Sequence, residues 1–311
     1  MAGLKLSSTR FLGIAKESTY GTPVTTGIRW LPMKNPDTEG EIKYQLDQGM
    51  RGVAAKTFGA YAGVQDGKFS YDLDWYVTDT PQLLACILGP DAVTGTSAPY
   101  THTFKLATGE PASLTLQDFD GLEQWQYPGS YLSQASFKLD SEGGLSCSVQ
   151  GNGFFPTSVA TSTPTFAAEP YFLGWETALT IGGSPNARLV SMQLDLKRAL
   201  TIRWSANSTQ QPRFVFVGPL DVSGKVTFDI EDDTELNYFV NNTQPTFQAL
   251  LTQPTTTNTV KFLMSKCAFT QAKRTTSKDW VQVDASIEGI YNATDAGPIQ
   301  IAVGNAQSTA Y

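Results

Sequence analysis

The sequence predicts an all-β protein with minor helix, built as two tandem β-sandwich or barrel units related by internal duplication, each with a short flanking helix. Three observations predict it. Charged residues make up only 16% of the chain while Thr, Ser, Gly and Asn abound, so the Lys- and Glu-rich surfaces of helical proteins are missing. Short segments of period-two alternation recur between turns rich in Gly, Asp, Asn and Pro. One piece of strand grammar is also written twice: Asp66 to Leu73 reads DGKFSYDL and Ser223 to Ile230 reads SGKVTFDI. In each a Gly-Lys pair opens a run in which Phe69, Tyr71 and Leu73, or Val226, Phe228 and Ile230, alternate with polar residues, the pattern of a half-buried strand.

The remaining elements follow in the same order in both halves. After the first Gly-Lys strand, Thr80 is placed to cap a helix from Pro81 to Leu88 with Gly89 as its stop; after the second, Pro245 to Leu251 is the matching candidate, since proline suits the first helical turn. LSQAS at Leu132 to Ser136 is matched by FTQAK at Phe269 to Lys273, and SVQG at Ser148 to Gly151 by SIEG at Ser286 to Gly289. Further strands are expected at Leu114 to Gln117, Leu132 to Leu139, Leu145 to Gln150, Leu189 to Leu196, Phe214 to Val217, Val260 to Met264 and Val281 to Ile287. The other reading of these matches is one large β-domain whose strands merely share an alternation.

The chain's 311 residues suffice for two ordinary domains, and PTSVATSTPTFAAEP at Pro156 to Pro170 has the composition of a linker. The expected division is residues 1–160, a first β-domain with an N-terminal arm, and 161–311, a second with a C-terminal arm. The arms, Met1 to Gly27 and Asp295 to Tyr311, carry few apolar residues and are expected to order only against neighbouring molecules. No apolar run reaches the roughly 18 residues that span a bilayer, and the opening MAGLKLSSTRFLGIAKE lacks a signal-peptide core, so synthesis and folding in a cytosol are expected, with no membrane anchor.

Chemistry is sparse. Cys86, Cys147 and Cys267 have no CxxC spacing and read as small buried side chains. His102 stands alone, and as a general base it would need a carboxylate partner that the sequence does not place, so it reads as a strand-face residue. The run Glu231, Asp232, Asp233 with Glu235 lacks EF-hand spacing and reads as a solvated loop. Asp72 and Asp74 share one strand face, which does not flank a sugar as a glycosidase pair must. No nucleophile-elbow, zincin, Walker or dinucleotide motif occurs, and no catalytic residue, cofactor or metal is expected. The six tryptophans, spread evenly, suit core or interface anchoring better than a sugar platform. A net charge of −7 argues against gripping nucleic acid through phosphates, yet suits a surface along which DNA slides without sticking.

ESTYGTP at Glu17 to Pro23, preceded by Gly13, Ile14 and Ala15, then Arg51-Gly52, GKFSYDL, TPQLLACILG, PASLTLQD, GSYLSQASFKL and YNATD at Tyr291 to Asp295 together resemble the tail tube (major tail) proteins of long-tailed bacteriophages. The resemblance covers nearly the whole chain and rests on the order of short motifs. It implies a virion protein: a β-sandwich with a flanking helix, whose sheets join between neighbours into stacked rings around a bore for DNA ejection. Two copies per chain then suggest a trimeric ring with pseudo-sixfold symmetry, six chains being the fallback, with the tape-measure protein and a tail terminator as partners and double-stranded DNA passing without specific binding. Polar positions of the Gly-Lys strands, Ser70, Asp72, Thr227 and Asp229, are the candidate lumen residues. Gln48, Arg51 and Lys56, and Asn207, Gln210 and Arg213, in the long polar segments before those strands, are the candidates for ring stacking. Rival readings are a head decoration or tail terminator subunit, and a carbohydrate-binding module.

Overall fold

The computed structural model describes residues 6–276 and 280–311. The first half of the chain forms β1 (Phe11–Lys16), β2 (Arg29–Leu31), β3 (Met33–Asp47), β4 (Gly59–Asp74), α1 (Gln82–Ile87), β5 (Asp91–Thr94), β6 (Tyr100–Phe104), β7 (Leu114–Phe119), β8 (Gln124–Asp140), β9 (Ser146–Gly153) and β10 (Thr157–Val159). The second forms β11 (Thr177–Ile181), β12 (Ser184–Asn186), β13 (Leu189–Arg203), β14 (Phe214–Asp229), α2 (Thr234–Val240), β15 (Phe247–Thr252), β16 (Thr259–Met264), β17 (Cys267–Thr275), β18 (Gln282–Gly289) and β19 (Gln300–Asn305). Strands dominate, as the alternation predicts.

Eight strands make one shared antiparallel layer in the order β3-β4-β9-β8-β13-β14-β18-β17. Its first four come from the first half of the chain and its last four from the second, and the two groups meet edge to edge where β8 pairs with β13. Outer layers cover its apolar side. One runs β2-β1-β7-β8-β10, the other β12-β11-β15-β16-β19-β6-β5, so the β5–β6 hairpin of the first half extends the second half's layer.

β8 serves both layers of the first half because it bends. Gln124 to Ser130 pair with β7, and the strand from Tyr131 onward pairs with β9. Gly129, at φ +61, makes the corner, a backbone conformation a side chain would strain. In the second half the same path is cut into β16 and β17 at Ser265, whose amide and hydroxyl are taken by the buried Asp295.

Period two fixes what lies inside. Phe69, Tyr71 and Leu73 on β4, Phe137 and Leu139 on β8, Met192, Leu194 and Leu196 on β13, and Val226 and Phe228 on β14 all bury on one side of the shared layer. The core runs across both halves: Trp75 meets Phe137 at 5.3 Å between ring centroids, and Phe137 meets Phe262 at 5.1 Å. Each such side chain contributes about 1.5–3 kcal/mol by leaving water. Gly151 on β9 is crowded between β4 and β8, where an added Cβ would lie 2.0 Å from the Tyr131 carbonyl oxygen.

The repeated motifs fall on corresponding strands: the Gly-Lys runs on β4 and β14, LSQAS and FTQAK on β8 and β17, SVQG and SIEG on β9 and β18. The long hairpins β3–β4 and β13–β14 each carry two register shifts, at similar places. The pairing nevertheless differs between halves. Gln134 faces Gln150, but its counterpart Gln271 faces Ser286 rather than Glu288. A slip of two leaves every side chain on its original face, so both halves keep the same inside and outside.

Several expectations need correction. The second helix is α2, not Pro245 to Leu251, which is strand β15: Phe247, Ala249 and Leu251 are all fully buried and alternate at period two, so packing overrides the proline signal. α2 instead opens just after the acidic run: Glu231, Asp232 and Asp233 lie exposed in the loop that follows β14, as expected, with Asp232 accepting the Thr234 amide, while Glu235 lies in the helix, buried against Arg188 and Asn186. Thr80 does not cap α1, since its hydroxyl accepts the Tyr76 amide. Of the expected arms, Met1 to Lys5 lie outside the described residues, and much of the rest does not wait for neighbours. β1 buries Phe11, Leu12 and Ile14, β19 buries Ile301 and Val303, and Tyr311 is 4% exposed, because FLGIA and IQIAV alternate well enough to join sheets.

Candidate functional site

The side of the shared layer opposite the core is polar along all eight strands. Its basic residues by register include Lys34, Lys68, Lys138, Lys197, Lys225 and Lys273, set among Asp37, Glu39, Glu41, Asp66, Asp72, Asp74, Asp140, Asp195, Asp221, Asp229, Asp284 and Glu288. Carboxylates outnumber amines, so the face is acidic. Ser70, Asp72, Thr227 and Asp229 all lie on it, at corresponding places on β4 and β14. Cross-strand hydrogen bonds hold its side chains. Asp72 accepts from the Ser148 hydroxyl and, at 2.9 Å, from Asn35, and these donors, the serine first, hold its carboxyl below the usual range. Thr227 donates to Asp284 at 2.8 Å, and Gln282 donates to Asp229 at 2.9 Å.

The segments before the Gly-Lys strands become hairpin ends. Gln48, Arg51 and Lys56 lie exposed in the β3–β4 loop, Arg51 pairing with Asp47 and sitting 4.7 Å over the Phe58 ring. Asn207, Gln210 and Arg213 lie exposed in the β13–β14 loop. Because β4 and β14 are separated by an even number of antiparallel steps, both loops leave the shared layer at the same end, and they touch. Gln210 donates to the Ala62 and Gly63 carbonyls and accepts the Gln65 amide at its backbone oxygen, while Lys43 stacks 4.2 Å over Trp204. Gln210 therefore ties one hairpin to the other within the molecule. Exposed apolar residues gather on the same hairpins: Tyr44, Leu46, Met50, Val53, Tyr61, Phe214 and Phe216. An exposed cluster of this kind marks an association surface.

Sequence reasoning missed three features. The first is which strands supply the open edges: β3 and β17 end the shared layer, and among the described residues each pairs with a strand on one side only. The second is Glu17, 5% exposed, whose carboxylate accepts four hydrogen bonds from Gly21, Ser113, Thr115 and Gly129. The Glu-to-Gly spacing of ESTYGTP was the available signal for it. The third is Arg198, 6% exposed beside a cleft of about 570 Å³ lined also by Glu110 and Tyr291; its Nε has no hydrogen-bond partner among the described residues, and burial lowers the guanidinium pKa. His102 is fully buried against Asp91 at 2.6 Å, with the Gln307 carbonyl 2.8 Å from its other nitrogen, a structural pair inside the outer layer. The tryptophans form no single platform: Trp75 is fully buried while Trp175 is 67% exposed. Among the described residues no cluster of three or more His, Cys, Asp or Glu is arranged to hold a metal ion, and no helix is long and apolar enough to cross a membrane.

A wide sheet, apolar on one side, acidic on the other and open at both margins, defines a class: structural proteins that build walls by associating with copies of themselves. A family model for phage tail tube proteins matches residues 7–306, and the chain belongs to that family. It is a structural subunit of the virion tail, in a family that assembles into a tube of subunits. No curated protein matches the chain.

Proposed function

We propose that three copies close into a ring with pseudo-sixfold symmetry, that rings stack into a tube, and that the acidic face lines the bore through which DNA leaves the particle. The observation that carries this reading is the shared layer, in which two four-strand groups of identical order already sit side by side as two neighbours in a ring would. We read the two groups as products of an internal duplication, divided near residue 160, in the stretch between β10 and β11.

Geometry favours three chains. Eight strands from each of three copies give a wall of 24; with strands about 4.8 Å apart and tilted about 40°, its backbone radius is about 24 Å, which leaves a water-filled bore wider than a duplex. Six chains would double that radius and leave the duplex unguided. Ser70, Asp72, Thr227 and Asp229 then face the channel, where like charge repels DNA phosphates and no counterion release rewards adhesion. The two hairpin ends of each copy, with Gln48, Arg51, Lys56, Asn207 and Arg213 around their exposed apolar residues, reach the next ring. The tape-measure protein occupies the bore before ejection, and a terminator subunit caps the last ring. The role is mechanical rather than enzymatic.

Electron microscopy of purified protein, concentrated or seeded, tests this reading. Hollow cylinders with three chains per ring are expected. Rings of six chains would overturn the stoichiometry, and protein that stays monomeric under all these conditions would overturn the assembly.

A further inference from the structure

Resting on that ring reading, we propose that copies join by antiparallel pairing of β17 on one molecule with β3 of the next, in the register already built into the β8–β13 junction, and that Lys273 and Glu41 form the charge pair that selects it.

The junction inside the molecule is a template. Its pairs include Gln134 with Lys197, Ala135 with Leu196, Ser136 with Asp195 and Phe137 with Leu194, and the Ser136 hydroxyl donates to the Asp195 carboxylate. β17 stands in the second group where β8 stands in the first: both are interrupted by a register shift at the same place in their related motifs, between Leu132 and Gln134 and between Phe269 and Gln271. β3 stands where β13 does, since Gly40 faces Gly67 as Leu194 faces Gly224. Carrying the template onto the free edges places Gln271 opposite Lys43, Ala272 opposite Ile42, Lys273 opposite Glu41, Arg274 opposite Gly40 and Thr275 opposite Glu39. Strand direction alternates through all eight strands, so this pairing is antiparallel, and the alternation continues unbroken around a closed ring.

The two edges complement each other. β3 presents Asp37, Glu39 and Glu41 on the polar face, while β17 presents Lys273 there and Arg274 on the other side. In the proposed register Ala272 and Ile42 meet on the core side, as Ala135 and Leu196 do, so the apolar layer continues across the joint. Arg274, which pairs with Asp233 in its own chain, falls opposite Gly40, whose core side is covered by Phe155 and Pro156. Glu41 already pairs with Lys68 in its own chain, and Lys273 from the neighbour adds a second cation to a site that also holds Glu39. The edges differ in sign on the polar face, β3 carrying Asp37, Glu39 and Glu41 and β17 carrying Lys273, so unlike edges gain a pairing that like edges lack. That arrangement disfavours unwanted edge association while permitting ring closure.

The test uses two sets of variants in the full chain. Glu41→Lys sets lysine opposite Lys273 and should raise the concentration needed for assembly about tenfold or more; Lys273→Glu should do likewise, and the double variant should return most of the loss. Circular dichroism and melting of the unassembled variants establish that each still folds. In the second set, Ile42→Cys with Ala272→Cys should form disulfide-linked rings on mild oxidation, because facing residues of antiparallel strands lie at a Cα separation that a disulfide spans. Lys43→Cys or Tyr44→Cys with Ala272→Cys, offset by one or two residues, should not. Tubes that form normally without charge dependence and without the Ile42–Ala272 link would overturn the edge register and leave the tube reading standing. Wild-type protein that never assembles would overturn both.

Discussion

Replacing Glu17 by glutamine probes how the ESTYGTP segment is fastened. One carboxylate oxygen accepts from the Thr115 hydroxyl at 2.7 Å and the Gly129 amide at 2.9 Å; the other accepts from the Ser113 hydroxyl at 2.6 Å and the Gly21 amide at 2.9 Å. The amide keeps the shape but turns one of these acceptors into a donor. Thr115 cannot reverse its hydroxyl freely, because its oxygen also receives the Val24 amide at 3.0 Å. The NH2 group therefore settles toward Gly21 and Ser113, where the serine can rotate and the Gly21 N–H cannot. One buried N–H loses its partner, at about 1–3 kcal/mol, and the three remaining bonds fall from charge-assisted to neutral strength, about 0.5 kcal/mol each. Glu17→Gln is thus expected to cost about 3 kcal/mol, lowering the melting temperature by about 5 °C in a chain of this size. Ser113→Ala, which removes one donor, is expected to cost about 1.5 kcal/mol. Urea unfolding followed by tryptophan fluorescence measures both. A glutamine variant within about 0.5 kcal/mol of wild type would refute the account, since that is the range of an inconsequential surface change.

Gly151→Ala is expected to cost about 3 kcal/mol or more, because its Cβ must displace the backbone of β8; soluble yield and melting temperature report it. Arg198→Met should stabilise the unassembled chain by about 1–3 kcal/mol by replacing a buried charge whose Nε is unpartnered with an apolar side chain that fits the same space, as denaturant titration would show. Asp66 is 1% exposed and burial raises its pKa, so its folded form takes up a proton more readily than its unfolded form. Its stabilising contribution is present below the unfolded pKa of about 4 and is lost as pH rises through the raised value. Asp66→Asn should therefore be more stable than wild type at pH 7, with the gain shrinking toward pH 4 in a series of melting curves.

How much was legible beforehand depended on whether a signal was local. Alternation is local, and it placed the strands of both Gly-Lys runs and the polar face that carries Ser70, Asp72, Thr227 and Asp229. It failed where two local signals competed. Pro245 suggested a helix start, yet Phe247, Ala249 and Leu251 needed a strand to reach the core, and burial of three apolar side chains outweighs one proline preference. The chain ends misled for a related reason: their overall composition is polar, but a few residues at period two, Leu12 with Ile14 and Ile301 with Val303, suffice to enter a sheet. Long-range facts were invisible. Nothing near Arg198 foretells its cleft, nothing near His102 names Asp91 as the residue it faces, and the joints β4–β9, β8–β13 and β14–β18 that order the hairpins in the shared layer pair residues more than fifty positions apart, such as Ser136 with Asp195. The edge chemistry was written in MKNPDTEGEIKYQLD and CAFTQAKRT all along, but its meaning required knowing which strands lie outermost.

The joint between β8 and β13 bears on how the chain is made. When the first half leaves the ribosome, β8 has no β13 to bind, and the β5–β6 hairpin must wait for β19, since Tyr100 pairs with Asn305. Until translation nears completion, a nascent molecule displays a sticky margin of the same geometry that a finished one offers to its neighbours. Crowded polysomes would then favour swapped, tangled chains, and the acidic row along β3 gives emerging first halves a means of keeping apart.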